Sequence, residues 1–287
     1  VTPTTTTTYT ITAKTPTPLQ CSQTATVTVN VIPQQTPVVT PTPALLCLDA
    51  AGVSEDDLEL STPNTDSNGR TYTAFKWYTL ADPTTILGTT DVITVPKASI
   101  TASQTYVVEV TTQEGCVGTG QVLVPVSAKP SVSIKGDATV CFGKSLKLQA
   151  ESPINVARYE WTTNANSTPF ATTQSVTVFP TAAENTYYLT VYNDKGCSFE
   201  VNPGHTVTIL DAPKPQIMPD HNPICEGDDV TLTASDLNGG SCTVVWDDGS
   251  TNPVRTIRGL TNTTTYSVTM TNQNGCYETV EYTVTVN

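Results

Sequence analysis

One phrase recurs through this chain and constrains its fold more than any other feature: a Tyr, alternating apolar residues, then a Gly-Cys turn. It runs from Tyr106 to Gly115-Cys116, from Tyr187 to Gly196-Cys197 and from Tyr266 to Gly275-Cys276, the Cys following the Tyr by 10 positions each time. A looser copy, Tyr9 to Cys21, opens the chain. One supersecondary unit returning roughly every 80–95 residues marks a tandem array of small domains. Such an array supplies reach and surface and seldom a catalytic pocket.

The residues around each phrase alternate with the period of a half-buried strand. In the last repeat Val230, Leu232 and Ala234 form one strand, Val244-Val-Trp246 a central one ending at the Asp247-Asp-Gly249 hairpin signal, and Val280, Tyr282, Val284 and Val286 the last. The repeat before it matches with Leu146, Leu148 and Ala150, then Tyr159-Glu-Trp161, then Val176 and Val178, and finally Val207 and Ile209. Phe75-Lys-Trp77 marks the same strand one repeat earlier, where an acidic surface excursion over Ala50 to Asp57 lengthens the early part. About seven short strands, one Trp and a Cys pair per repeat fit an immunoglobulin-like sandwich. The expected architecture is all-β: tandem immunoglobulin-like antiparallel β-sandwich domains in an elongated array. Trp77, Trp161, Trp246, Tyr106, Tyr187 and Tyr266 are its expected core residues.

Pro-rich seams divide the repeats: Ile32 to Pro43, Ala128-Lys-Pro130 and Asp211 to Pro215. Short linkers of this composition hold extended geometry. The expected domains are 1–32, the C-terminal part of a truncated repeat, and complete repeats at 37–127, 130–210 and 214–287.

Each complete repeat carries an early and a late Cys, and no close C-x-x-C pair points to a metal. The expected disulfides are therefore Cys47–Cys116, Cys141–Cys197 and Cys225–Cys276, each clamping the end of a sandwich where the chain enters to its late hairpin. Disulfides imply an oxidising compartment and secretion. Cys21 holds the late position of the truncated repeat, so its expected partner lies upstream of Val1. Cys242 stands where the other repeats have Thr73 and Ala157, and has two readings, a buried free thiol or an interchain bond.

With Lys+Arg 13 against Asp+Glu 26 the net charge is −13, which supplies none of the basic footprint that nucleic acid or anionic lipid requires. No apolar run is long enough to insert in a membrane. Val1-Thr2-Pro3 has no secretory leader, and the expectation is a segment of something longer.

Enzymatic chemistry finds no constellation. His205 and His221 stand apart from any nucleophile or carboxylate arrangement, and there is no G-x-S-x-G elbow. No cofactor is expected. The acidic clusters Glu55-Asp56-Asp57, Asp228-Asp229 and Asp247-Asp248 are solvated turns in one reading and calcium ligands at inter-domain seams in another. The Thr4 to Thr8 run is an O-glycan carrier or a β-prone lead into a strand, and Asn166-Ser-Thr168 and Asn262-Thr-Thr264 fit the N-glycosylation sequon.

Cys141-Phe-Gly143, Tyr159-Glu-Trp161 and Thr186-Tyr187 through Gly196-Cys197, with Cys225-Glu-Gly227 and Thr265-Tyr266 through Gly275-Cys276, resemble the Ig-like and PKD-like repeats of very large secreted Bacteroidota surface proteins, gliding-motility adhesins among them. Trp246-Asp-Asp-Gly249 looks like a reduced PKD-type turn, whereas Cys47-Leu-Asp49 departs from the Cys-x-Gly pattern. The resemblance implies type IX export, an extracellular cell-surface location, and an internal or truncated segment of the parent protein.

The expected function is a non-enzymatic structural and adhesive stalk segment whose partners are other copies of itself, other surface proteins or surface glycans. A filament-forming subunit assembling through the incomplete first repeat is the alternative, since an incomplete sandwich exposes strand edges. A carbohydrate-binding array is a third reading and needs an exposed aromatic row, for which Tyr188 and Tyr192 are the candidates.

Overall fold

The computed structural model describes residues 1–16 and 21–287. These fall into two compact units, Val1–Lys129 and Pro130–Asn287. The fold is all-β, built of immunoglobulin-like antiparallel sandwiches in tandem; among the described residues the only helical piece is the short 3-10 turn Lys97–Ser99.

The first unit opens with a hairpin of β1 (Thr7–Lys14) and β2 (Ser22–Val29), in which Tyr9 faces Val27 and Ile11 faces Ala25. It forms a two-stranded sheet of its own, and no residue of either strand is buried. A sandwich follows, made of β3 (Thr40–Thr42), β4 (Leu46–Leu48), β5 (Leu58–Ser61), β6 (Tyr72–Thr79), β7 (Val92–Val95), β8 (Gln104–Thr112), β9 (Val117–Val124) and β10 (Val126–Ala128). One sheet has the order β3-β5-β7 and the other β6-β8-β9, while β4 pairs in parallel with β10. Alternation decides the core: Leu58 and Leu60 from one sheet meet Trp77, Val108 and Val110 from the other, all fully buried. The segment leading into the sandwich lies against β9. A Cβ on Gly118 would sit 2.3 Å from the Gln35 carbonyl oxygen and one on Gly120 1.9 Å from that of Pro37, so only glycine allows this approach.

The second unit contains two sandwiches with separate cores. The first has β11 (Ser131–Lys135), β12 (Thr139–Cys141), β13 (Leu146–Ile154), β14 (Arg158–Thr163), β15 (Ser175–Val178), β16 (Thr186–Tyr192), β17 (Ser198–Glu200), β18 (His205–Thr206) and β19 (Thr208–Leu210). Its sheets are β11-β13-β15 and β14-β16-β17, with β18 also on β16, and β12 pairs in parallel with β19. The second is β20 (Pro215–Pro219), β21 (Asp228–Asp236), β22 (Cys242–Trp246), β23 (Val254–Leu260), β24 (Thr264–Asn272) and β25 (Tyr277–Val284). Its sheets are β20-β21-β23 and β22-β24-β25, and a parallel bridge joins Ile224 to Val286.

The Asp247-Asp-Gly249 turn forms, closed by Gly249 N–H donating to the Trp246 carbonyl at 2.9 Å. It does not close a hairpin, however: the next strand, β23, crosses to the other sheet and pairs with β21. The three Trp side chains are core residues, 0–2% exposed. Each indole N–H donates to a backbone carbonyl, Trp77 to Thr90 at 2.7 Å, Trp161 to Thr173 at 2.8 Å and Trp246 to Asn252 at 2.8 Å. A buried indole needs such an acceptor, because an unpaired donor inside a core is costly. Tyr106, Tyr187 and Tyr266 are buried beside them, and burial raises the phenol pKa of Tyr106 and Tyr187.

Candidate functional site: the cysteines and the seam of the second unit

Two local devices place the cysteines. The late Cys closes a tight hairpin turn. In the last sandwich the Asn272 N–H donates to the Cys276 carbonyl at 2.9 Å and Gly275 N–H to the Asn272 carbonyl at 3.1 Å. The Asn272 Oδ1 accepts from the amides of Asn274 and Cys276 at 3.0 and 3.1 Å. Asn193 builds the same turn for Cys197 with its Oδ1 at 3.0 Å from the amides of Lys195 and Cys197, and Thr112 builds it for Cys116 with its hydroxyl at 3.3 Å. Gly115, Gly196 and Gly275 all have φ between 80° and 96°, which a side chain would strain. In the opening hairpin Thr15 brackets Cys21 in the same way, its amide 3.0 Å from the Cys21 carbonyl and its hydroxyl 3.0 Å from the Cys21 amide.

The early Cys lies in the segment that pairs in parallel with the end of its own repeat. Cys47 faces Ser127, and Cys141 faces Leu210. Cys225 follows Ile224, which bridges to Val286. Cys141-Phe-Gly143-Lys144 and Cys225-Glu-Gly227-Asp228 are matching turns, Lys144 N–H donating to the Cys141 carbonyl at 3.0 Å and Asp228 N–H to that of Cys225 at 3.1 Å.

This placement overturns the expected pairing. Cys141 is bonded to Cys276, 135 positions away in the sequence, with Cα atoms 5.6 Å apart. Cys47 and Cys197 are also disulfide-bonded. Cys116 and Cys225 are free thiols, as are Cys21 and Cys242. None of Cys47–Cys116, Cys141–Cys197 and Cys225–Cys276 forms. The reason is the parallel pairing. It puts the early Cys where the last strand ends, whereas the late Cys stands where that strand begins. From Cys276 along β25 to Val286, beside Cys225, is ten residues of extended chain, about 33 Å, and a disulfide tolerates no more than about 7 Å between Cα atoms.

What the bond does instead is join two consecutive sandwiches. The Cys141 end of the first sandwich meets the hairpin turn of the second, and the linker runs between them. Asn272 Nδ2 donates to the Asp211 carbonyl at 2.7 Å, tying the turn to the linker. Lys144, three residues after Cys141, reaches the Glu278 carboxylate at 2.8 Å and lies 5.8 Å from the Tyr277 ring centre. The Glu278 carboxylate holds the Lys144 ammonium above the usual lysine pKa. A disulfide, an ion pair and a linker hydrogen bond thus converge on one seam. No sequence rule had flagged Lys144, Asn272 or Glu278, because each has its role only when two repeats are brought together.

The remaining candidate residues do not converge. Cys242 is half-buried and donates its thiol to Asp236 Oδ2 at 3.7 Å; burial and that carboxylate raise its pKa, so it stays a protonated thiol. His205 Nε2, on β18, lies 3.0 Å from the Asp137 carbonyl, and His221 Nδ1, in a separate turn, lies 2.9 Å from Asp220 Oδ1. The acidic clusters are occupied within the protein. Asp57 accepts the Lys97 amide at 2.8 Å, Asp229 the Gly259 amide at 2.9 Å, and Asp228 the Cys225 amide at 3.2 Å. Asp247 and Asp248 both pair with Arg255. The aromatic row is interrupted as well. Tyr192 is half-buried, capped by Arg158 3.8 Å from its ring centre, and donates to Glu160 at 3.0 Å. The Gly204 backbone presses on the ring of half-buried Tyr188, where an added Cβ would be 2.7 Å from Cδ1.

Residues 125–210 match the family described as Ig-like domain, CHU_C associated. No curated protein matches the chain. Among solved structures, the chain is similar to the N-terminal eight Ig domains of Down Syndrome Cell Adhesion Molecule at 14% identity, over 98% of this chain and 40% of that one, with a TM-score of 0.39. It thus spans well under half the length of that structure. The three N-terminal domains of the bacteriophage RB49 Highly Immunogenic Outer Capsid protein give 14% identity over 88% and 99% with a TM-score of 0.33, and Sidekick-1 immunoglobulin domains 1–5 give 9% over 100% and 67% with a TM-score of 0.34. The chain is built of immunoglobulin-like repeats, one of which carries the family match.

Proposed function

We propose that this chain is a non-enzymatic structural segment of an extracellular cell-surface repeat protein, a stalk that transmits tension and holds an adhesive region away from the cell. The observation behind this reading is the Cys141–Cys276 bond between consecutive sandwiches. Tension carried through that bond bypasses the residues it spans, so the sandwiches do not have to resist it by their own folding stability. Disulfides persist in oxidising compartments, which supports an extracellular location. The Cys-x-Gly and Gly-Cys motifs, with the family match over 125–210, support a Bacteroidota adhesin of the gliding-motility type exported by the type IX route. Its partners are other surface proteins or further copies of the chain.

Single-molecule extension between the termini tests the stalk. The segment spanned by the bond would be about 450 Å long if fully extended. The oxidised chain is expected to fall short of the reduced chain by a sizeable part of that length. Equal extension in both states overturns the reading.

The filament-forming alternative has one observation in its favour, the bare face of the first hairpin, where Ile11, Val27 and Val29 are exposed. Such a face and its free strand edges invite a complementary sheet from a second copy. Sedimentation at rising concentration decides: association lost in Ile11→Ser supports the filament, and a monomer at every concentration removes it.

A further inference from the structure

The Cys141–Cys276 bond joins defined positions of two successive repeats: the early Cys at the finishing end of one sandwich, and the Gly-Cys turn beside the linker into the next. Both positions recur in this chain with the thiol unused. Cys225 is the counterpart of Cys141. It follows a parallel bridge to the last strand of its repeat, Ile224 to Val286 where the other repeat has Val140 to Ile209. Its turn is closed by the same hydrogen bond, and Gly227 has φ 89° where Gly143 has 76°. Its sulfur is free and exposed. Cys116 is the counterpart of Cys276, on the turn that Thr112 closes, and is likewise free. The position that Cys225 holds forms a disulfide one repeat earlier, and the late Cys of its own repeat lies at the far end of the last strand.

We propose that Cys225 is a covalent coupling site whose partner is the Gly-Cys turn of a further immunoglobulin-like repeat of this kind, next along the same polypeptide. Cys116 is the reciprocal acceptor for the early Cys of a preceding repeat. The disulfides would then form a ladder, each rung crossing one linker. Coupling takes two electrons from two thiols, and the oxidant is a small-molecule disulfide such as glutathione disulfide. The Cys225 thiolate displaces one glutathione thiolate to give a mixed disulfide. The partner thiolate then displaces the second, leaving the protein disulfide and two molecules of reduced glutathione, which carry the two thiol protons. The site extends the stalk reading without depending on it, because extensibility and bond partners are separate readouts.

The test appends residues 211–287 a second time after Asn287, refolds the extended chain in a glutathione redox buffer, and maps its disulfides without reduction. The expected product is a monomer in which Cys225 is joined to the Gly-Cys cysteine of the appended repeat and is lost to alkylation. Cys225 remaining alkylatable, bonded between chains, or displaced by a bond closed within the appended repeat overturns the proposal. Should the appended repeat fail to fold, Cys141→Ser in the unextended chain decides. There Cys225 and Cys276 are expected to be fully alkylatable together. A Cys225–Cys276 bond in that variant would show that Cys225 serves its own repeat and would overturn the proposal.

Discussion

The opening hairpin and the last hairpin of the chain carry the same local pattern and have opposite fates. β1–β2 and β24–β25 both pair antiparallel with a Tyr facing an apolar or aromatic residue, Tyr9 with Val27 and Tyr266 with Tyr282. Both close with the amide of a Thr or Asn donating to a late Cys carbonyl. Yet Tyr266, Val268 and Met270 are buried, whereas Ile11 is 65% and Val27 53% exposed. The last hairpin packs with Trp246 and is covered by Val230, Leu232 and Ala234 of β21 in the opposing sheet; no residue of the first hairpin's two strands is buried. Alternation and turn chemistry suffice to specify a hairpin, but only an opposing sheet converts its apolar face into a core.

The covered face and the bare face should respond very differently to truncation. Leu232→Ala removes a fully buried side chain and is expected to destabilise its sandwich by about 2–5 kcal/mol, seen as an earlier midpoint in denaturant-induced loss of circular dichroism. Ile11→Ala, at an equally apolar but uncovered position, is expected to change stability by less than about 0.5 kcal/mol. A large effect of Ile11→Ala would mean that the hairpin face has a cover in solution.

The smallest expected effect lies in a loop whose geometry needs no core at all. Asp82 accepts from the hydroxyls of Thr84 at 2.6 Å and Thr85 at 2.7 Å, and these bonds hold its pKa at about 2. A carboxyl depressed in this way stabilises the folded loop above the unfolded value of about 3.9. That contribution fades as the pH falls from there through about 2. Carboxyl chemical shifts should show an Asp82 midpoint near 2, and Thr84→Ala should move it up toward the ordinary aspartate range. An unmoved midpoint would mean that the hydroxyl is not the cause.

Much of the fold was legible residue by residue. Trp77, Trp161 and Trp246 were readable as cores because each sits in a strand near the middle of a repeat, and Leu146 and Val230 as the first residues of an alternating strand. The aromatic row was not, because Tyr188 and Tyr192 are alternate residues on a strand face whose cover, Gly204, Arg158 and Glu160, comes from elsewhere. The cysteine pairing escapes the sequence for a related reason. Equal spacing within repeats suggested a bond within each, and spacing carries no information about which end of a sandwich a residue occupies.

What depends on near neighbours was readable from the order of residues alone: strand alternation, the Gly-Cys turns with their positive-φ glycines, and the buried Trp and Tyr positions. Local sterics and the period-two side-chain pattern act over a few residues and leave their mark directly in the order of amino acids. Tertiary structure alone decided that the early strand runs parallel to the last strand, and with it that Cys141 meets Cys276 and Cys225 meets nothing in its own repeat. A disulfide demands two Cα atoms within a few ångströms, and that proximity is a property of how strands close into a sandwich and how one sandwich follows another.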